Sequence, residues 1–236
     1  MKALLVRVGA DQSEGGGSWN GPVNTQTGAF AYVPIPESKP THSNLATPYS
    51  KVAESVSGFG LALPSHLASG HMHLDPDFEH LTYGDQGQRA KQIQSKLREG
   101  DLIVFYAGLA DTQPGRCLVY ALIGLYVIDS IIPATSLPQT AWDSNAHTRR
   151  VLPPNASDIV VKAKPGVSGR LKRCIPVGSY RNRAYRVEPR LLDEWGGLTV
   201  NDGYLQRSAR LPEFRDAARF LDWFHAQKPE LLARNN

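Results

Sequence analysis

Residues 88–130 read QRAKQIQSKLREGDLIVFYAGLADTQPGRCLVYALIGLYVIDS, and their periodicity decides the fold class. Ala90, Ile93 and Leu97 recur at three to four residues, placing one apolar stripe on a helix over residues 88–97 that Glu99-Gly100 stops. Residues 101–106 and 118–128 are rich in β-branched and aromatic side chains and read as strands. Asp111, Pro114 and Gly115 supply a turn between them, so the two strands are expected as an antiparallel hairpin. A helix feeding a hairpin argues for an α+β fold with a mixed or mostly antiparallel sheet, flanking helices and long loops.

Working outward, residues 3–8 form an apolar run that ends at Gly9 and opens a glycine-rich loop over residues 11–21. Residues 29–35 read as a second strand, stopped by Pro34 and Pro36. Residues 38–82 are rich in Ser, Pro, Gly and His without clear periodicity, which predicts long loops with short ordered pieces, a length that suits a functional covering. Downstream, residues 139–150 predict a short helix, and residues 158–163 and 171–177 two more strands. Residues 215–226 close the pattern as an amphipathic helix with Ala218, Leu221 and Phe224 buried and Trp223 a further candidate. Without an internal repeat or a linker, residues 1–236 are expected to form one domain.

Hydrophobic residues make up 41% and charged residues 20%, values that argue against disorder or a fibrous repeat. The longest apolar stretch, residues 117–128, is broken by Gly124 and is too short for a membrane helix, and the apolar run after Met1-Lys2 is too short for a signal peptide. The expected location is the cytoplasm, with Cys117 and Cys174 as free thiols. The net charge of +4 divides unevenly: residues 1–150 carry 11 Lys/Arg against 13 Asp/Glu, and residues 151–236 carry 15 against 9. The excess concentrates in Arg170, Lys172, Arg173, Arg181, Arg183, Arg186 and Arg190, with Glu188 as the local acid and Tyr180 and Tyr185 interleaved. Guanidinium forks suit phosphate oxygens, so Arg170, Lys172, Arg173, Arg181, Arg183 and Arg186 are expected to contact DNA, with RNA as the alternative polymer.

Three groups of residues have the composition of a site. Gly15, Gly16 and Gly17 let the loop backbone approach a ligand, although neither a P-loop nor a Rossmann fingerprint is present. Flanking Arg7, Asp11, Trp19 and Asn20 supply a stacking ring, an amide and charges for a nucleotide. His71, His73, Asp75, Asp77 and His80 are the densest set of metal-ligand types; on a strand His71 and His73 would share a face, but Pro76 favours a loop and no second cluster completes a closed zinc site. No metal is therefore assigned, and cofactors stay unknown. Asn145, His147, Arg149 and Arg150 form the third group, in which His147 is a candidate acid or base and the arginines anion binders. Tyr106, at the end of its strand beside Gly108, is expected to face the pocket while Phe105 packs inside; the fallback position for the pocket is around His147 and Tyr204.

Several segments, LLVRVGADQSEGGGSWNGPV, FAYVPIPE, LDPDFEHLTYGD, GDLIVFYAGL, NAHTRR and NDGYLQRSARLP, resemble the third branch of the nucleotide modification associated domain proteins of phages and bacteria. They span nearly the whole chain. That resemblance implies a link to hypermodification of DNA bases, and it moves weight onto Asp75, Asp77, Phe78, Tyr83 and Asp85 and onto Asn201, Asp202, Tyr204, Gln206, Arg207 and Ser208. A local resemblance, over residues 88–130, is to PUA-like barrels including the EVE and ASCH groups, and implies a barrel that holds a modified base. The expected function is binding of a nucleotide or modified base through an aromatic and glycine-loop pocket with a basic rim. The alternative is an enzyme acting on a base or nucleotide in such a pathway, with Asp75, Asp77 and His147 as candidate catalytic residues. The base, the reaction and the oligomeric state stay open.

Overall fold

The computed structural model describes residues 1–11, 19–113, 115, 117–205 and 208–236, so Gly15–Gly17, Gln206 and Arg207 lie outside the described residues. In chain order the strands are β1 (Ala3–Arg7), β2 (Pro22–Val23), β3 (Ile35–Pro36), β4 (Thr47–Pro48), β5 (His71–His73), β6 (Thr82–Asp85), β7 (Leu102–Asp111), β8 (Leu118–Pro133), β9 (Ile159–Ala163), β10 (Gly169–Arg181), β11 (Ala184–Val187) and β12 (Leu231–Leu232). The helices are α1 (Ser50–Ser57), α2 (Ser65–Ala68), α3 (Gly87–Lys96), α4 (Ala146–Arg149), α5 (Pro189–Glu194) and α6 (Ala217–Ala226). The fold is α+β.

The main sheet runs β1-β7-β8-β10-β11, with β2 on β7, β12 on β10, and β9 joining β8 to β6. β1 and β2 lie parallel to β7, and the expected β7–β8 hairpin is antiparallel, so the sheet is mixed. β7 and β1 are buried on both faces, which explains their unbroken apolar sequence. Alternation divides the side chains: Val6, Ile103, Phe105, Ala107 and Ile123 enter one core with α1, α3 and Phe78, while Leu5, Val104, Tyr106 and Leu122 enter a second with Trp195, Phe220 and Phe224. The register slips between Phe105↔Gly124 and Tyr106↔Leu122, and Ile123 is the extra residue of a bulge in β8. β8 stays on β7 through Val127 and from Ile128 to Pro133 pairs with β9. Among the described residues the sheet does not close, so the expected PUA-like barrel is replaced by an open mixed sheet.

Other expectations also shift. The second strand expected over residues 29–35 is reduced to a bridge at Phe30 and the short β3, because Pro34 and Pro36 cannot donate to a ladder. Residues 38–82 contain α1, α2, β4 and β5, the two strands joining β3 in a small antiparallel sheet, β3-β5-β4, and so cover the first core as a layer. The helix expected over residues 139–150 is two pieces, a 3-10 segment Gln139–Ser144 and α4, separated by extended Asn145, whose side chain caps α4 by accepting from His147 N. In α6 Phe224 is buried as expected, but Ala217 and Phe220 are buried with it while Ala218 is exposed and Leu221 half-buried, so the buried face is turned by less than one residue from the expected one. Asn235 bonds Asp77 and the Phe78 amide, and Asn236 bonds both the amide and the carbonyl of Tyr32, fastening residues 235–236 to the first core. No described helix is long and apolar enough to cross a membrane.

Candidate functional site

A cleft of about 450 Å³ opens where β1, β5, β6 and α4 meet, a volume within the range of about 300–1,000 Å³ typical of small-molecule sites. Its floor is built by two histidines. His73 closes β5, and its Nδ1 lies 2.7 Å from Glu37 Oε2. His147 sits in the first turn of α4, with Nδ1 2.6 Å from Asp158 Oδ1. The rings meet edge to face at 4.9 Å. A carboxylate accepts only, so each Nδ1 carries the proton and each Nε2 is left to act. His147 Nε2 stands 3.9 Å from Asp75 Oδ2, while Asp75 Oδ1 accepts from Gly84 N at 2.7 Å and from Asn145 Nδ2 at 3.0 Å. The Asp75–Pro76 peptide is cis.

Burial dominates the electrostatics here. It pushes the Asp75 carboxyl up to about 7 and the His73 imidazole down to about 4. Burial also works against ionised Glu37, but bonds from His73 and Arg150 outweigh it and hold that carboxyl at about 2. Asp158 is likewise lowered, the His147 hydrogen bond outweighing burial. Arg150 clasps Glu37 through Nε at 3.0 and 3.1 Å and Nη2 at 2.9 Å. The wall carries Tyr83, whose hydroxyl donates to Asp85 Oδ2 at 2.5 Å and accepts from Arg89 Nη2 at 3.0 Å. Arg7, Lys39 and Arg89 complete a cationic rim with Arg150, and Ser208 borders it. Arg7 and Arg89 are partly neutralised, by Asp11 at 2.9 Å and Asp85 at 3.0 Å; Lys39 instead donates to the neutral Gln86 Oε1 at 2.6 Å.

The fold brings Arg7, His73, Asp75, Tyr83, Asp85, His147, Arg150 and Ser208 of the sequence candidates to this cleft. It leaves others elsewhere. Tyr106, expected in the pocket, is 1% exposed in the second core, because alternation along β7 turns it to the opposite face from Phe105, and neither ring lines the cleft. Trp19 packs against the first core, and Asn20 Nδ2 donates to Gly108 O at 2.9 Å. Asp77 and Arg149 are bonded to one another at 2.8 Å, with Asp143 and Asn235 as further partners, and so tie loops together. Of the metal-ligand candidates, His71 is exposed and His80 bonds Asp77. The poor spacing of His71 and His73 argued against a metal group, yet the fold brings in His147 instead, so that one ligand atom each from His73, Asp75 and His147 lies within 4.8 Å of the others. Glu37, Lys39, Arg89 and Asp158 were missed as site residues; they stand alone in the sequence, with no local spacing to signal them.

The basic segment is partly consumed inside the fold. Arg170 is buried over the Phe30 ring and bonds Arg234 O, and Lys172 pairs with Glu230. Arg181 and Arg186 reach Asp202 at 2.6 and 3.6 Å, and Arg186 also lies over Tyr204 and bonds Asn201 O. Glu188 is therefore not the sole acid nearby. Arg173 and Arg183 form no ion pair among the described residues.

An open mixed sheet with a polar cleft, lined by two carboxylate-backed histidines, a buried acid and a cationic rim, defines the class as an α+β protein with a cluster of titratable groups. The comparison of families then assigns it: residues 2–219 match the family described as nucleotide modification associated domain 3, and the chain belongs to that family. No curated protein and no solved structure matches the chain.

Proposed function

We propose that the cleft is the site of an enzyme acting on a nucleotide, or on a base within DNA, in the modification of nucleotides with which the family is associated. The observation that carries this reading is the pair of buried histidines, each with Nδ1 tied to a carboxylate, converging with Asp75 on the cleft floor. A protein that only reads a base needs a stacking ring and no such titratable cluster. Tyr83 is the aromatic wall residue besides the histidines among the described residues, and its hydroxyl is engaged on both sides. Lys39 has charge to spare for a phosphate, since its present partner is a neutral amide. DNA is the favoured polymer and RNA the alternative.

The test is a titration of the full chain with nucleoside monophosphates and short single strands carrying normal or modified bases, followed by mass spectrometry of the recovered nucleotides. Lys39→Ala is expected to weaken monophosphate binding about tenfold, the loss of one charge-assisted contact of about 1.5 kcal/mol. His147→Gln is expected to retain binding and abolish any conversion. Binding without conversion under all conditions would turn the protein into a reader, and equal affinity in Lys39→Ala and the parent would remove the phosphate from this cleft.

A further inference from the structure

We propose that His73, Asp75 and His147 bind one divalent transition-metal ion, zinc(II) or iron(II), with open coordination positions toward the cleft. The inference deepens the nucleotide chemistry above and rests on the same cleft being the site. One ligand atom of each residue lies within 4.8 Å of the other two, and His147 Nε2 is 3.9 Å from Asp75 Oδ2. Metal bonds of about 2.0–2.2 Å would bring these atoms to roughly 3–3.5 Å apart, a contraction of about an ångström that side-chain torsions supply. Two imidazoles and one carboxylate leave positions free for substrate or water, the pattern of catalytic rather than structural sites.

The surroundings are organised for the same purpose. Behind each imidazole a buried carboxylate accepts the Nδ1 proton, Glu37 for His73 and Asp158 for His147, which fixes the tautomer and aims Nε2 inward. Behind Asp75, Gly84 N and Asn145 Nδ2 hold Oδ1 and leave Oδ2 turned to His147. Such hydrogen bonds to the far side of each ligand are how metal sites orient their first ring of donors. Charge points the same way. Arg150 neutralises Glu37, whereas Asp75 and Asp158, both nearly inaccessible, form no ion pair among the described residues except with His147. A metal ion held by the two imidazoles would place a positive charge beside Asp75, whose ion pair among the described residues is with His147 alone.

The experiment uses the full chain. Protein purified without chelator, aerobically and anaerobically, is analysed for metal content; chelator-stripped protein is titrated with cobalt(II) chloride and followed by its visible absorption. About one equivalent of zinc or iron per chain and a saturable cobalt spectrum are expected. Affinity should fall by more than tenfold in His73→Gln and Asp75→Asn, and roughly 10–100-fold in Asp158→Asn, which removes a partner of a ligand and no ligand. Circular dichroism checks folding; if a ligand variant misfolds, the parent's cobalt titration and Asp158→Asn decide. No cobalt spectrum in the parent, or unchanged affinity in folded variants, overturns the proposal. Metal held by a protein that ignores nucleotides sinks the nucleotide reading alone; nucleotide bound by a protein that never takes cobalt sinks this one alone.

Discussion

Gly84 shows how closely the floor of the cleft is fitted. It lies in the middle of β6 with ordinary strand geometry, so no turn requires a glycine; the reason is space, because a Cβ there would overlap the His147 ring and Asn145 Oδ1. Gly84→Ala is therefore expected to push His147 off Asp158 and to destabilise the protein by about 1–3 kcal/mol through overpacking. Chemical denaturation measures the loss, and the His147 imidazole resonances report the displacement; a variant with parental stability and resonances would show that the ring sits elsewhere. At this scale the sequence was readable where a residue type stood out locally: Asp75 and His147 were found because they lie in clusters of polar residues. Glu37 and Asp158 were not, since each acquires its role from a histidine on another element, 36 positions away for Glu37 and 11 for Asp158, and no local periodicity encodes such a pairing.

At the scale of elements, pattern was informative where burial follows a single period. The helix α3 appeared within a residue of expectation and the β7–β8 hairpin where expected, although both strands run about five residues further at their C-terminal ends, because one apolar stripe and two continuous apolar runs admit few alternatives for type and position. The face of α6 was misjudged because aromatic residues occupy both candidate stripes, and packing of Phe220 against Trp195 and Phe214 decides between them. β11 escaped notice for a related reason: Ala184–Val187 is too short and too basic to read as a strand, and only its pairing with β10 makes it one. That β10–β11 ribbon carries a prediction. If nucleic acid lies along it, Arg173→Gln and Arg183→Gln should each lower the log–log salt slope of binding by about 0.7–0.9. Arg181→Gln should leave the slope nearly unchanged and cost little stability, because its solvent-screened pair with Asp202 is already made. Equal slopes for all three variants would show that the ribbon does not touch the polymer.

Across the whole molecule, one sheet separates two cores, and each side carries its own probe. Cys174 is buried in the first core, where burial pushes its thiol up to about 12, and Trp195 is fully buried in the second. If residues 1–236 act as one cooperative domain, labelling of Cys174 and the tryptophan fluorescence of a Trp19→Phe, Trp142→Phe variant, whose remaining tryptophans lie at the second core, should report the same denaturant midpoint, with exposed Cys117 reacting before either. Two separated midpoints would divide the chain into units that unfold independently. The open sheet itself was beyond the sequence: β1 joins β7 across nearly a hundred residues, and β8 passes from β7 to β9 between Val127 and Ile128, events that depend on long-range pairing. The cleft inherits this dependence. His73 arrives on β5, Asp75 on the turn after it, Gly84 on β6, His147 on α4 and Asp158 just before β9, so no single element carries the chemistry and the sheet is what assembles it. Anyone wishing to transplant the site into another scaffold would have to carry the sheet with it, and a screen for lost function should find hits scattered through the packing of the interior as readily as among the groups that meet the substrate.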